Sequence, residues 1–114
     1  MLVKGDKFPL TKEEFIAELI RNKDLVIVEG KKDVSKLTKF GISNVKEISR
    51  MPLYSFAEEI GRTHKSVVLL LDNDSAGRML YSKLKREFCR LGVKVDSYYR
   101  RALAKLKISH IEGL

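Results

Sequence analysis

The sequence predicts an α/β domain with a mostly parallel sheet and helices over both of its faces. Three observations carry that prediction. Two short apolar runs, Leu25–Val28 and Val67–Leu71, have the length and branching of buried parallel strands. Segments with helical spacing of apolar residues lie between and around them, so successive strands need crossover connections. Each run also ends in carboxylates with a glycine nearby, and open parallel sheets bind ligands outside the carboxyl ends of their strands.

The first helix is expected over Lys12–Asn22. Thr11-Lys-Glu-Glu14 has the form of a capping box, and Phe15, Ile16, Leu19 and Ile20 follow at helical spacing. Leu25–Val28 is a buried strand that turns at Glu29-Gly30. Lys31–Phe40 reads as a helix with Val34 and Leu37 inward, Lys32, Lys36 and Lys39 outward, and Gly41 as its C-cap. A second strand is expected around Val45–Ile48. Pro52 breaks the chain, and Ser55-Phe-Ala-Glu58 opens a short helix through Ile60 that ends at Gly61.

Val67–Leu71 is the clearest strand, and Asp72–Gly77 is the loop leaving its carboxyl end. Leu80, Leu84, Phe88 and Leu91 mark one face of a long helix ended by Gly92. Val93–Tyr98 is a third alternating strand, Arg100–Lys107 a helix, and Ile108–Ile111 a last short strand. Leu37–Val45 and Leu103–Ile111 share apolar, Lys and Ile-Ser positions in register. The same local geometry, a helix end turning into a strand, accounts for that echo without any duplication.

With 114 residues the chain has the size of one domain, expected to span 1–114. Apolar residues make up 44% and charged residues 33%, interleaved as in a globular chain rather than blocked as in a disordered one. Lys and Arg outnumber Asp and Glu by 23 to 15, a net charge of +8 that favours polyanionic partners, chiefly nucleic acid. A solvated basic surface is the competing explanation. Cys89 is the only cysteine, which excludes an intrachain disulfide and a Cys-ligated zinc site. Its helical position points to a small buried or half-buried hydrophobe. Among apolar runs none reaches the length of a signal peptide or membrane span, so the expectation is a cytoplasmic protein without a membrane partner. No Ser-His-Asp or Cys-His constellation, dinucleotide fingerprint or P-loop is present.

The chemistry-bearing feature is acidic. Asp72 and Asp74 are one residue apart on a strand-exit loop, and Glu29 follows another buried strand. Carboxylates so close repel one another, and a divalent cation offsets that repulsion. Mg²⁺ takes oxygen ligands, often one or two carboxylates completed by water and substrate phosphates. Each residue also has an ordinary explanation: Asp74 caps the next helix, Asp72 is a turn residue and Glu29 a solvated strand end. If the two strands are neighbours, the three carboxylates converge at one edge of the sheet.

Val26-Ile-Val-Glu29-Gly30-Lys31-Lys32-Asp33, followed by Leu69-Leu-Leu-Asp72-Asn-Asp74-Ser-Ala-Gly77-Arg78, resembles the two motifs of the Toprim domain of topoisomerases, bacterial primases, OLD-type nucleases and ribosomal-RNA maturases. The resemblance covers about residues 24–100, with the 12–22 helix and a C-terminal helix and short strand flanking that core. It implies a Rossmann-like three-layer fold with about four parallel strands. It further implies that Asp72 and Asp74 hold Mg²⁺, with Mn²⁺ as a substitute, and that Glu29 is a general acid/base or a further metal ligand. Gly30 and Gly77 are the turn residues of the two motifs. The zinc ribbons, clamps and tyrosine-bearing domains of the larger members do not fit in 114 residues, so the chain resembles the small stand-alone Toprim proteins. Tyr98-Tyr99 accordingly reads as packing, not as a topoisomerase nucleophile.

Lys31 and Lys32 follow Glu29, and Arg78 stands one turn beyond the Asp pair, so these three are the candidate phosphate or nucleic-acid contacts. Lys83, Arg86 and Arg90 share a helix face, and Arg100, Arg101, Lys105 and Lys107 form a basic stretch; for most of these a solvated face is the simpler explanation. His64 and His110 are isolated in sequence and read as surface or structural residues. The expected function is Mg²⁺-dependent chemistry on nucleic-acid phosphodiesters, by nuclease or nucleotidyl-transfer action. The alternative is a non-catalytic nucleic-acid-binding or assembly module on the same fold. A phosphoacceptor receiver domain would carry its acidic pair after the first strand and a lone Asp after the third, the reverse of this order. The small faces of such a module also leave room for a homodimer.

Overall fold

A computed structural model describes residues 8–114, so the first seven residues of the expected 1–114 span lie outside it. Among the described residues, helices and strands alternate: α1 Lys12–Arg21, β1 Leu25–Val28, α2 Lys31–Lys39, β2 Val45–Glu47, α3 Leu53–Gly61, β3 Ser66–Leu69, α4 Ser75–Arg90, β4 Lys94–Asp96 and α5 Tyr98–Lys105. A 3₁₀ turn, Ile111–Gly113, follows. The four strands form one wholly parallel sheet in the order β2-β1-β3-β4. This is the three-layer α/β fold expected from the sequence.

Alternation along the central strands builds both layers. Val26, Val28, Val68 and Leu70 point into one core with Phe15, Leu19, Leu37, Tyr98, Tyr99 and Leu103. Ile27, Val67, Leu69 and Leu71 point into the other with Phe56, Ile60, Leu84 and Phe88. The two inner strands are therefore apolar on both faces, as a sheet covered by helices on each side requires. β1 and β3 pair directly, with Ile27 opposite Leu69 and the Leu70 N–H donating to the Ile27 carbonyl at 2.9 Å. Glu29 and Asp72 consequently leave the sheet at the same edge, from adjacent strands.

Several local expectations change. The last segment is a 3₁₀ turn and not a strand, because its main chain is engaged by Asn73 and Asp72 at the carboxyl edge of the sheet. β4 ends at Asp96, whose Oδ1 accepts the Tyr98 N–H at 2.9 Å and turns the chain into α5 two residues earlier than the sequence pattern indicates. Tyr98 and Tyr99 are both buried, packed edge to face with their ring centroids 5.1 Å apart. Cys89 is exposed on α4 rather than half-buried. It follows Phe88, which occupies the core-facing position of that turn.

The echo between residues 37–45 and 103–111 has a structural cause in helix termination. The Ile42 N–H donates to the Leu37 carbonyl and the Ile108 N–H to the Leu103 carbonyl, at 3.1 and 2.9 Å. The intervening residues, Gly41 and Lys107, have φ of 92° and 60°. Both helices thus end in the same left-handed C-cap, which buries the following isoleucine. After Ile42 the chain runs on to β2; after Ile108 it crosses the carboxyl edge of the sheet.

Candidate metal centre

Three segments meet at the carboxyl ends of β1 and β3. The first is the β1–α2 turn. Glu29 leaves β1, and Gly30 caps α2 with an extended backbone (φ −147°). Asp33, three residues on, accepts the Gly30 N–H through Oδ2 at 3.3 Å and is almost fully buried. Gly30 is therefore not held by a left-handed conformation, and a Cβ added there would meet nothing within 4 Å.

The second segment is the β3–α4 loop. Asp74 is the N-cap of α4, its Oδ1 accepting the Gly77 N–H at 2.7 Å. The capping explanation and the ligand explanation use different atoms, since the cap engages Oδ1 and not Oδ2. Gly77 packs directly on the loop: an added Cβ would lie 1.9 Å from the Asp72 carbonyl oxygen. Only a residue without a side chain lets α4 start so close to Asp72.

The third segment is the C-terminal turn, which the sequence does not point to. The Asn73 N–H donates to the Ser109 carbonyl at 2.7 Å, and the Ile111 N–H donates to Asp72 Oδ1 at 3.3 Å. His110 Nε2 lies 3.1 Å from Asp74 Oδ2. Both expected aspartates are thus contacted by a segment some 36 residues downstream in the case of Asp74.

Burial and mutual repulsion shift the ionisation of this cluster. Glu29, ordinarily near 4.5, is pushed up to about 7 by burial, by the Asp72 carboxylate with which it shares a hydrogen bond, and by Asp74 and Asp33. Burial and Asp72 also raise Asp33. Asp74 is held below the usual carboxylate range by the Gly77 N–H and by His110. A divalent ion would offset the repulsion between Glu29 and Asp72. Asp72, Asp74 and His110 can each present one ligand atom, all within 4.8 Å of one another. The donor set therefore fits a divalent cation.

Residues 24–109 match the family model of the Toprim domain. The chain belongs to the Toprim family. It is 40% identical over 80 residues to a UPF0292 protein of Methanocaldococcus jannaschii, a match covering 68% of this chain and 62% of that one. A UPF0292 protein of Methanosarcina barkeri is 34% identical over 109 residues, covering 90% of this chain and 76% of the relative. The solved structure of a protein from Aquifex aeolicus superposes with a TM-score of 0.86 at 32% identity, covering 93% of this chain and all of that one. Toprim membership points to a metal-dependent role in nucleic-acid chemistry, and no helix among the described residues is long and apolar enough to cross a membrane.

The remaining candidate residues of this Toprim site divide by position. Lys31 and Lys32 line the same cleft, of about 370 Å³, as Glu29, Asp33, Asp72 and His110. Arg78 is exposed on the α4 flank instead, where Nη1 donates to the Asn73 carbonyl at 3.1 Å. Arg90 pairs with Glu87 at 2.9 Å on the solvated face of α4. His64 stays structural, its Nδ1 close to Thr63 Oγ1 and the Ile60 carbonyl at the end of α3. His110 is the correction: isolated in sequence, it sits against Asp74. Asp33 is a further carboxylate of the site with a local signal, since a carboxylate three residues after a helix N-cap is a recognisable capping pattern. Nothing local to His110 signals its place, because tertiary packing alone brings it there.

Proposed function

We propose that this Toprim protein is a Mg²⁺-dependent enzyme acting on nucleic-acid phosphodiester bonds, as a nuclease or nucleotidyltransferase. The observation that carries this reading is the convergence of Glu29, Asp72 and Asp74 at the carboxyl ends of adjacent central strands. Asp72 and Asp74 are the residues to hold the ion, with Mn²⁺ as a substitute. When bound, such an ion supplies Lewis-acid polarisation of a phosphoryl oxygen. Glu29, beside Asp72 at the same sheet edge, takes or returns a proton at the attacking or leaving oxygen. Lys31 and Lys32 face the same cleft and hold a phosphate there, and Arg78 offers a second phosphate contact on the α4 side. The open space over Gly30 allows a phosphate to approach the backbone at the α2 N-terminus.

The test combines binding and turnover. Mn²⁺ or Mg²⁺ should bind the wild type and not the Asp72→Asn/Asp74→Asn double variant. Glu29→Gln should retain the ion and lose cleavage or transfer on a panel of single- and double-stranded DNA, RNA and nucleotides. Equal ion binding by the double variant would sink the proposal.

A second reading, a nucleic-acid-binding or assembly module without turnover, draws on a different observation. A groove of about 430 Å³ beside the cleft is lined by Lys31, Lys32, Lys36 and Lys39 of α2. Salt-dependent nucleic-acid binding with no product from any substrate in the panel would favour it.

A further inference from the structure

We propose that His110 is a ligand of the metal centre, delivered by the C-terminal turn, and that it strengthens binding of a transition cation such as Mn²⁺ more than binding of Mg²⁺. The proposal rests on the reading that Asp72 and Asp74 hold a divalent ion.

The geometry behind it has three parts. First, the turn is attached to the acidic motif itself. Ser109 accepts from the Asn73 N–H, and Ile111 donates to Asp72, so the residues on either side of His110 are held by the two aspartates' own loop. Second, the imidazole is not needed for that attachment. Ile108 and Ile111 are buried, while the His110 side chain is 50% exposed. A half-exposed His–Asp contact adds little to stability, whereas two buried isoleucines, the Asn73–Ser109 main-chain hydrogen bond and the Ile111 N–H bond to Asp72 hold the turn firmly. His110 therefore stands between two anchors, with its ring turned toward the acidic motif and open to solvent.

Third, the atom it meets is the right one. Asp74 Oδ1 is engaged by the Gly77 N–H, so Oδ2 is the oxygen left for an ion, and Nε2 faces that oxygen at 3.1 Å. On its other side Nδ1 lies 2.9 Å from Ser109 Oγ. A hydroxyl both donates and accepts. With Nε2–H donating to Asp74, Ser109 donates to Nδ1. To hold an ion through Nε2, the imidazole would carry its proton on Nδ1 and donate it to Ser109. Ser109 thus orients the ring in both states, as outer partners of ligating histidines do.

Ligand chemistry then sets the difference between the two ions. Mg²⁺ takes oxygen and sheds its water reluctantly, while imidazole nitrogen suits first-row transition ions. A centre of carboxylates alone would not discriminate in this way.

The experiment is three-pulse electron spin echo spectroscopy of the wild-type protein loaded with Mn²⁺, together with Mn²⁺ and Mg²⁺ titrations. The expected result is nitrogen modulation on the bound Mn²⁺, converted to the ¹⁵N pattern when the protein is made with ¹⁵N-histidine. That measurement needs no variant. His110→Gln should abolish the modulation and weaken Mn²⁺ binding by more than the ~10-fold that loss of even an outer partner costs, with a smaller loss for Mg²⁺; His64→Gln should change neither. Mn²⁺ that binds in an Asp72- and Asp74-dependent manner without histidine nitrogen modulation overturns the role of His110 and leaves the metal reading standing. Mn²⁺ binding that survives the Asp72→Asn/Asp74→Asn change overturns both.

Discussion

Nε2 of His110 lies 3.1 Å from Oδ2 of Asp74, although 36 positions separate the two residues. The same aspartate caps α4 through its other oxygen. One side chain therefore caps the helix and meets the C-terminal turn through different atoms, and substitutions can separate the cap from the proposed ligand role.

Asp74→Asn keeps a side-chain oxygen at the N-cap, and asparagine caps helices about as well as aspartate. The metal-free variant should melt close to the wild type but fail to bind Mn²⁺. Asp74→Ala should lose the ion and also melt at lower temperature. Thermal unfolding in EDTA, beside a Mn²⁺ titration, checks both. A drop in melting temperature for Asp74→Asn equal to that for Asp74→Ala would show that the charge, not the cap, stabilises the loop.

Glu29 sets a pH dependence. Its folded value of about 7 lies above its ordinary 4.5, so the folded protein holds a proton that the unfolded chain releases between those values. Stability therefore falls as pH rises through this window, and the full cost of the charge is present above pH 7. Without metal, Glu29→Gln should raise the melting temperature relative to wild type at pH 8. The difference should shrink toward zero near pH 4.5. Melting curves at several pH values in EDTA decide this, and added Mn²⁺ should stabilise the wild type by mass action.

Gly77→Ala and Gly30→Ala should differ sharply. The Gly77 Cβ would collide with the Asp72 carbonyl at 1.9 Å, a backbone contact that cannot swing aside. That change should lower stability and weaken ion binding by displacing the Asp72–Asp74 loop. Gly30→Ala meets open space on an extended backbone and should fold normally. Any loss it causes should appear in nucleic-acid or phosphate binding rather than in the melting temperature.

The C-terminal turn should be tunable from both sides. Ile111 is 1% exposed, and Ile111→Ala should cost about 2–5 kcal/mol. Lys107 holds a left-handed φ of 60°, a conformation that costs a non-glycine residue about 1 kcal/mol. Lys107→Gly should relieve it, so the two substitutions should move chemical denaturation midpoints in opposite directions.

Much of this molecule is legible in one dimension. The apolar runs at Leu25–Val28 and Val67–Leu71 define the central strands because only a sheet covered on both faces tolerates unbroken apolar sequence. The Asp72-Asn-Asp74 spacing and Gly77 are local, since a cap and a close backbone approach act within a few residues. Edge elements read less well. β4 and the start of α5 hinge on the Asp96 side chain, and the Ile108–Ile111 pattern suits a strand as well as the turn it becomes.

The sequence by itself determined the α/β alternation, the three carboxylates and their positions at strand ends, because periodicity and local hydrogen bonding are properties of neighbouring residues. Tertiary structure alone decided that β1 and β3 lie side by side, which partly buries Glu29 and sets it against Asp72, and burial first and Asp72 second raise it toward neutrality. It also decided that a buried Ile108–Ile111 clamp lays the C-terminal turn across the acidic loop and sets His110 beside Asp74. Burial of distant apolar side chains drives that placement, and no spacing along the chain records where they meet.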